Sequence, residues 1–511
     1  MKPSGHDKLK AKAWLHPRFT VGESDGSLFG GFIEHMGHAV YGGIYEPGHP
    51  AADEEGFRTD VLELVRDLHM PFIRYPGGNF VSAYDWRTGV GPRPERKPHR
   101  DPVWNALETN EFALDEFMRW CVKAGTEPML VLNLGTGTAD QALELFDYCN
   151  GAGNSFWSAK RKSFGIEKPY RVRHWCLGNE MSSPRQPGWK PAPEYTHIAA
   201  ETARRLKELD PSLDLIVSGS SCRNAAYYGH WDAEVLSGTF DWADQISLHA
   251  YFGPKGEDLP GYLAASDRLL DRHIREIAAV CDTVAAQKKS GRRIGLSLDE
   301  WNVWSGTNRN DIKFTVEEFE DIYTALDAVV LGGLLITMLN HADRLQSACL
   351  AQTCNILAPI MTQPGGTAWR QSIYHPFALT SRYGRGTVLQ IPLSGPVLPG
   401  SGIPCLNAAV VRRGDAAEIA LFLLNRHWTE AVDLELELTG SSPKEILAAQ
   451  VMTAGDPKAV NAPGSENVRP VELEDCILAG SRLQVKCPPR SWSMIRIGLD
   501  RLDFETGNSG K

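Results

Sequence analysis

No CxxC pair occurs among the ten cysteines, and the shortest spacing between any two runs from Cys349 to Cys354. Thiols scattered in this way exclude a disulfide framework and a cysteine-rich zinc cluster, and point to a reducing compartment. The stretch Met1 to Thr20 is polar and carries lysines, without the apolar centre of a secretion signal, so a cytoplasmic location is expected. Long apolar runs are also missing. The longest uncharged one, Ala328 to Leu339, is too short to span a bilayer and predicts a buried helix, so no membrane partner is expected. Excess positive charge is absent: the net charge is -10, which argues against nucleic acid as a partner. There is no internal repeat and no low-complexity tract. The stretch 133–138 holds two glycines but neither GK[ST] nor GxGxxG, so it reads as a loop and no phosphate-bearing cofactor is expected. His35, His38 and His49 with Glu34 lack the HExxH order, and no metal is expected.

What is present is ordinary for a soluble globular protein. The 511 residues are 42% hydrophobic and 23% charged, enough for two or three domains. From Leu28 to Gln352 short apolar runs alternate with helical periodicity. The runs are 28–34, 71–75, 128–134, 172–177, 215–218, 245–249, 294–298 and a last segment ending at Gln352. Between them, helical spacing is read over 59–69, a helix capped by Asn110 and ended by Gly125, 139–150, 195–209, 266–287 and 316–331. Continuous apolar strands suit a parallel sheet covered on both faces, and the alternation suits a (β/α)8 barrel. After about His375 the periodicity changes to short strands with turns between them, and 432–438 alternates strictly. The expected architecture is therefore α/β, a (β/α)8 TIM barrel over 26–375 followed by an all-β sandwich over 376–505. Residues 1–25 supply an N-terminal strand to the sandwich, and 506–511 form a polar tail.

The chemistry-bearing residues cluster at the C-terminal ends of the predicted strands, where barrel active sites are built. Glu180 ends Trp175-Cys-Leu-Gly-Asn-Glu180, and Glu300 ends Leu296-Ser-Leu-Asp-Glu300 in the same design. Glu34, Arg74, Asn79, Asn179, His249, Tyr251 and Gln352 stand at or just beyond other strand ends. Carboxylates, amides and a phenol are the partners that sugar hydroxyls need, and Trp104, Trp301 and Trp304 offer flat apolar faces. Two carboxylates on two strand ends suit glycoside hydrolysis. Singly, each has a plainer reading: Arg74 as a structural ion-pair partner, His249 as a core histidine, the tryptophans as helix packing.

The chain resembles the glycoside hydrolase family 51 α-L-arabinofuranosidases of the retaining (β/α)8 clan. The resemblance is carried by Phe29-Gly-Gly-Phe-Ile-Glu-His35, Val40-Tyr-Gly-Gly-Ile-Tyr-Glu-Pro47, Arg74-Tyr-Pro-Gly-Gly-Asn-Phe-Val-Ser82, Trp175-Cys-Leu-Gly-Asn-Glu-Met181, Ser247-Leu-His-Ala-Tyr251, Ser297-Leu-Asp-Glu-Trp-Asn-Val-Trp304 and Ala358-Pro-Ile-Met-Thr-Gln-Pro-Gly-Gly366. It implies Glu180 as general acid/base and Glu300 as nucleophile. It also implies sugar contacts from Glu34, Asn79, Asn179, Tyr251 and Gln352, with Arg74 and His249 supporting the carboxylates. The implied substrate is an arabinofuranosyl-containing oligosaccharide, cleaved from its end, and the implied assembly is a homo-oligomer, a hexamer. Endo-β-glucanase, other furanosidase or xylosidase activity of the same family is the alternative; an inactive carbohydrate-binding protein is the alternative from another class. The chain departs from the family pattern at Gly137, where relatives often carry Arg, at 181–186, where Ser-Ser-Pro-Arg replaces Asp-Gly-Pro-Trp, and at Phe252, where relatives often carry Tyr.

Overall fold

The computed structural model describes residues 8–308, 316–414 and 417–500. The predicted polar tail lies outside these residues. Eight parallel strands close into a barrel: β1 (Gly30–Phe32), β2 (Phe72–Tyr75), β3 (Glu127–Val131), β4 (His174–Leu177), β5 (Asp214–Val217), β6 (Gln245–Phe252), β7 (Gly295–Val303) and β8 (Leu345–Ala351). Each strand pairs with the next, and β8 pairs with β1.

Period-two alternation splits β2, β3, β4, β5 and β8 between two cores. Met129, Val131, Cys176, Ile216, Cys349 and Ala351 join Phe32 and Phe72 in one cluster. Their neighbours Leu130, Trp175, Leu177, Leu215, Val217 and Leu350 belong to the larger core shared with the helices. Both faces of these five are apolar, which is why they read as continuous runs.

The helices follow the sequence in most places and differ in a few. Thr59–Asp67 and Ala139–Asn150 lie where the spacing predicts them, and Gly125 ends Leu114–Ala124 in the left-handed region. Asn110 does not cap that helix. Its amide is taken by Lys97 and Tyr84, while the carboxylate of Glu116 accepts the Ala113 N–H at 3.1 Å. The predicted helix 316–331 is replaced by a short 3₁₀ turn at Val316–Phe319 and a buried helix at Ala325–Leu339. Thr324 and Asp327 form a reciprocal cap, each side chain accepting the other's N–H, and this fixes the start. Helices Phe156–Ser163, His230–Thr239 and Tyr374–Tyr383 were not legible from the spacing.

Two short strand pairs, His99–Arg100 with Leu107–Glu108 and Ile360–Met361 with Trp369–Arg370, stand apart, and the other strands form two facing sheets. One is five-stranded, in the order 393–394, Leu9–Leu15, Val432–Leu438, Arg482–Cys487, Cys476–Ala479. The other is seven-stranded, beginning with Thr20–Ser24 beside Gly386–Leu389. Leu9–Leu15 runs parallel to Val432–Leu438, so the N-terminus is a strand of the five-stranded sheet. In 432–438 the apolar residues are buried and the acidic ones half-exposed, as strict alternation requires. The outer face of the seven-stranded sheet rests on helix Ala325–Leu339. There Gly332 admits the indole of Trp492: a Cβ would sit 2.3 Å from the ring. A buried Arg426–Asp267 ion pair, reinforced by Asn407 at 2.8 Å, ties the sheet to helix Leu259–Gln287.

Candidate active site

All the predicted site residues except one of the tryptophans converge on the C-terminal mouth of the barrel. A cavity of about 840 Å³ opens there, lined by Glu34, Asn79, Trp104, Glu180, Tyr251, Glu300, Trp304 and Gln352. Arg74, Asn179 and His249 are buried directly behind it. Trp301 is not part of it: it is fully buried in the large core against the helices, because it falls on the outward register of β7.

Glu300 is held by two donors. The Tyr251 hydroxyl donates to Oε1 at 2.7 Å, and Arg74 Nη1 donates to Oε2 at 3.3 Å. Arg74 also donates to Asn179 Oδ1 at 2.7 Å and faces Asp299 at 3.3 Å, with its guanidinium 5.0 Å from the Phe32 ring. Glu180 sits just beyond β4, in the left-handed region at φ 45° after Gly178. Its Oε1 lies 3.1 Å from His249 Nδ1, and that nitrogen is 3.5 Å from Glu300 Oε2. One oxygen each of Glu180 and Glu300 and a ring nitrogen of His249 lie within 4.8 Å of one another.

The electrostatics are nearly balanced. Burial alone would lower His249, but the Glu300 charge and hydrogen bonds to Asp299 and Glu180 outweigh it and hold the imidazole up at about 10. The ring donates to the carboxylates around it, so the three groups form an ion-pair network whose spacing would also fit a cation. Against the burial that would raise it, the Arg74 charge and the His249 bond keep Asp299 below the usual carboxylate range. Glu34 goes the other way: burial, aided by the charge of Glu300, pushes it up to about 8 despite the Phe80 N–H and Trp104 indole that donate to Oε1 at 2.8 and 3.0 Å. It is therefore neutral at pH 7.

The supporting contacts explain the geometry. Glu34's own N–H donates to Gln352 Oε1 at 2.9 Å, joining the ends of β1 and β8. Gly77, at φ 116°, passes so close over Glu34 that a Cβ there would lie 2.4 Å from the Glu34 Cβ. This close approach brings Asn79 to 3.3 Å from Asn179. Asp101 accepts the N–H groups of Val103 and Trp104 and orients the indole. Trp304 stacks on Phe319 at 4.9 Å.

Asp299 was missed at the sequence level. Adjacent strand residues point to opposite faces, so Asp299 should turn away from the site if Glu300 faces it. The pairing shifts register instead: Ser247 faces Ser297, but His249 faces Glu300. The extra residue on β7 is a bulge that turns Asp299 inward too, where Ser247 donates to it at 2.5 Å. The three histidines of the N-terminal stretch have protein partners. His35 is bonded to Glu108 and Tyr75, His38 to Glu320, and His49 to the Gly366 carbonyl.

Fold and site together define a (β/α)8 glycoside-hydrolase-type enzyme with paired carboxylates on β4 and β7. Residues 64–265 match the α-L-arabinofuranosidase 1 domain, and 299–491 match the α-L-arabinofuranosidase C-terminal domain. The chain is 44% identical over 498 residues to an intracellular exo-α-(1→5)-L-arabinofuranosidase of Halalkalibacterium halodurans, covering 96% of this chain and 99% of that one. An exo-α-(1→6)-L-arabinofuranosidase of Bifidobacterium longum is 40% identical, over 94% of this chain and 95% of that one. The solved family 51 α-L-arabinofuranosidase of Bifidobacterium longum superposes with a TM-score of 0.91 at 36% identity, over 96% of this chain and all of that one. The chain belongs to the family 51 α-L-arabinofuranosidases.

Proposed function

We propose that the protein is an exo-acting retaining α-L-arabinofuranosidase that releases terminal arabinofuranosyl units from arabino-oligosaccharides or arabinoxylan fragments. The observation that carries this reading is the approach of Glu180 and Glu300 to within 4.8 Å at one barrel mouth. Retaining glycosidases hold their carboxyls about 5–5.5 Å apart, whereas inverting ones leave room for a water at about 6.5–9.5 Å.

Glu300 attacks the anomeric carbon. Tyr251 and Arg74 hold it in place by their hydrogen bonds. Glu180 protonates the departing glycosidic oxygen, leaving a glycosyl ester on Glu300. It then takes a proton from water, which attacks the same carbon and releases the sugar with its configuration retained. His249, already protonated, orients Glu180 and balances charge without taking part in proton transfer. Neutral Glu34, with Asn79, Asn179 and Gln352, receives the sugar hydroxyls, and Trp104 and Trp304 wall the cavity. No cofactor or metal enters the scheme.

Residues 26–375 are taken as the catalytic unit, and 376–505 with the N-terminal strand as the sandwich. The names of the relatives and the reduced cysteines support a cytoplasmic enzyme. No helix among the described residues is long and apolar enough to cross a membrane. A homohexamer is the assembly the family resemblance suggests, and sedimentation velocity tests it.

A panel of nitrophenyl glycosides tests the substrate. The α-L-arabinofuranoside should exceed the galactofuranoside, xylopyranoside and cellobioside in kcat/KM by about 10²-fold. Cleavage within a β-glucan without monosaccharide release would instead support the endoglucanase alternative.

A further inference from the structure

The cavity beyond Glu180 has one feature that the proposed chemistry does not use. Glu34, Glu180 and Glu300 line it, and among the described residues a single cationic side chain, Arg185, stands with them. Arg185 is exposed, and its backbone N–H donates to Ser183 Oγ at 3.4 Å. Among the described residues no carboxylate pairs with its guanidinium.

The backbone of the turn that carries it is fixed at several points. Ser183 N–H donates to the Glu180 carbonyl at 2.8 Å, and Gln186 N–H to the Ser183 carbonyl at 2.9 Å. Pro184 and Pro187 flank the position. Two buried side chains anchor the turn on either side: Gln186 donates to Ser82, and Ser182 bonds Ser221, which in turn bonds Tyr227. This turn follows directly from the residue that protonates the leaving oxygen, so what it faces is the leaving group. Ser183, Ser221 and Tyr227 line the same side and offer hydroxyls to a sugar. An unpaired guanidinium on a fixed turn is suited to a carboxylate, which it can grip with two parallel hydrogen bonds.

We propose that Arg185 is a specificity residue that selects leaving groups bearing a carboxylate, so that the substrates include arabinofuranosyl units carried on uronic-acid residues. This rests on the arabinofuranosidase reading above. The test uses matched pairs: arabinofuranosyl uronates and their methyl esters, alike in shape and linkage and differing in charge. The wild-type enzyme should favour the acid in kcat/KM by about fivefold at low salt. The preference should shrink at high ionic strength. Arg185→Gln should bring the acid-to-ester ratio to about one, and Arg185→Lys should retain part of it. Equal use of acid and ester by the wild-type enzyme, or an unchanged ratio in Arg185→Gln, would overturn the proposal. Failure of the wild-type enzyme to cleave a nitrophenyl arabinofuranoside would overturn the functional reading itself, and this inference with it.

Discussion

Asp299 carries more of the site's order than either carboxylate beside it. It faces Arg74 Nε at 3.3 Å and His249 Nε2 at 3.6 Å and is fully buried. Removing its charge leaves two buried cations short of a partner, and breaking a buried pair costs about 3–5 kcal/mol. Asp299→Asn should therefore lower the unfolding free energy by about 3 kcal/mol, read by denaturant titration; a loss within error of zero would contradict this role. His249 adds a pH dependence. Its folded value, about 10, lies above the ordinary 6.5, so its stabilisation is complete below pH 6.5 and is lost as pH rises through about 10. The melting temperature of the wild type should thus fall more steeply between pH 6.5 and 10 than that of His249→Gln, and parallel curves would refute the assignment. Glu180, Glu300 and the polar residues that line the cavity with them were legible because each stands at or near a strand end that could be read. Asp299 was not, because a one-residue bulge reverses the face that simple alternation assigns.

The same contrast runs through the elements. The barrel strands were legible because apolar runs bounded by loops leave little choice at that length. Helices such as Ala139–Asn150 were legible where one face is apolar and a cap begins it. Ala325–Leu339 is apolar on all sides, so periodicity could not set its start, and the Thr324–Asp327 cap does. Phe156–Ser163 and His230–Thr239 are short and present mixed faces, so no period stands out. Within Ala325–Leu339, Gly332 is required by its neighbour. Alanine in a helix gains about 1 kcal/mol over glycine, but a methyl 2.3 Å from the fully buried Trp492 ring has nowhere to go. Gly332→Ala should destabilise the protein by about 1–3 kcal/mol in calorimetry, with turnover per folded molecule unchanged. A stabilised variant would show that the sheet yields more easily than this packing implies.

At the scale of the molecule, the barrel and the two sheets share structure. The N-terminal strands enter the sheets before the chain begins the barrel, and Arg426 reaches across to Asp267 on a barrel helix. Arg426→Ala should cost about 3–5 kcal/mol, since it strands a buried carboxylate, and should lower the melting temperature of the whole protein in one transition; a separate early transition would mean the two parts unfold independently. The proposed mechanism rests on a division of labour between Glu180 and Glu300, and rescue by azide separates their roles most directly. Glu180→Ala should lose natural-substrate hydrolysis by about 10²–10⁴-fold, yet still release a burst of nitrophenol from the aryl arabinofuranoside and then stall. Azide needs no base, so it should restart turnover and give a glycosyl azide of retained configuration. Glu300→Ala should lose both substrates, and azide in the vacated space should give the inverted product. The opposite pairing of variants and stereochemistry would reverse the roles, and full turnover in both variants would contradict the account.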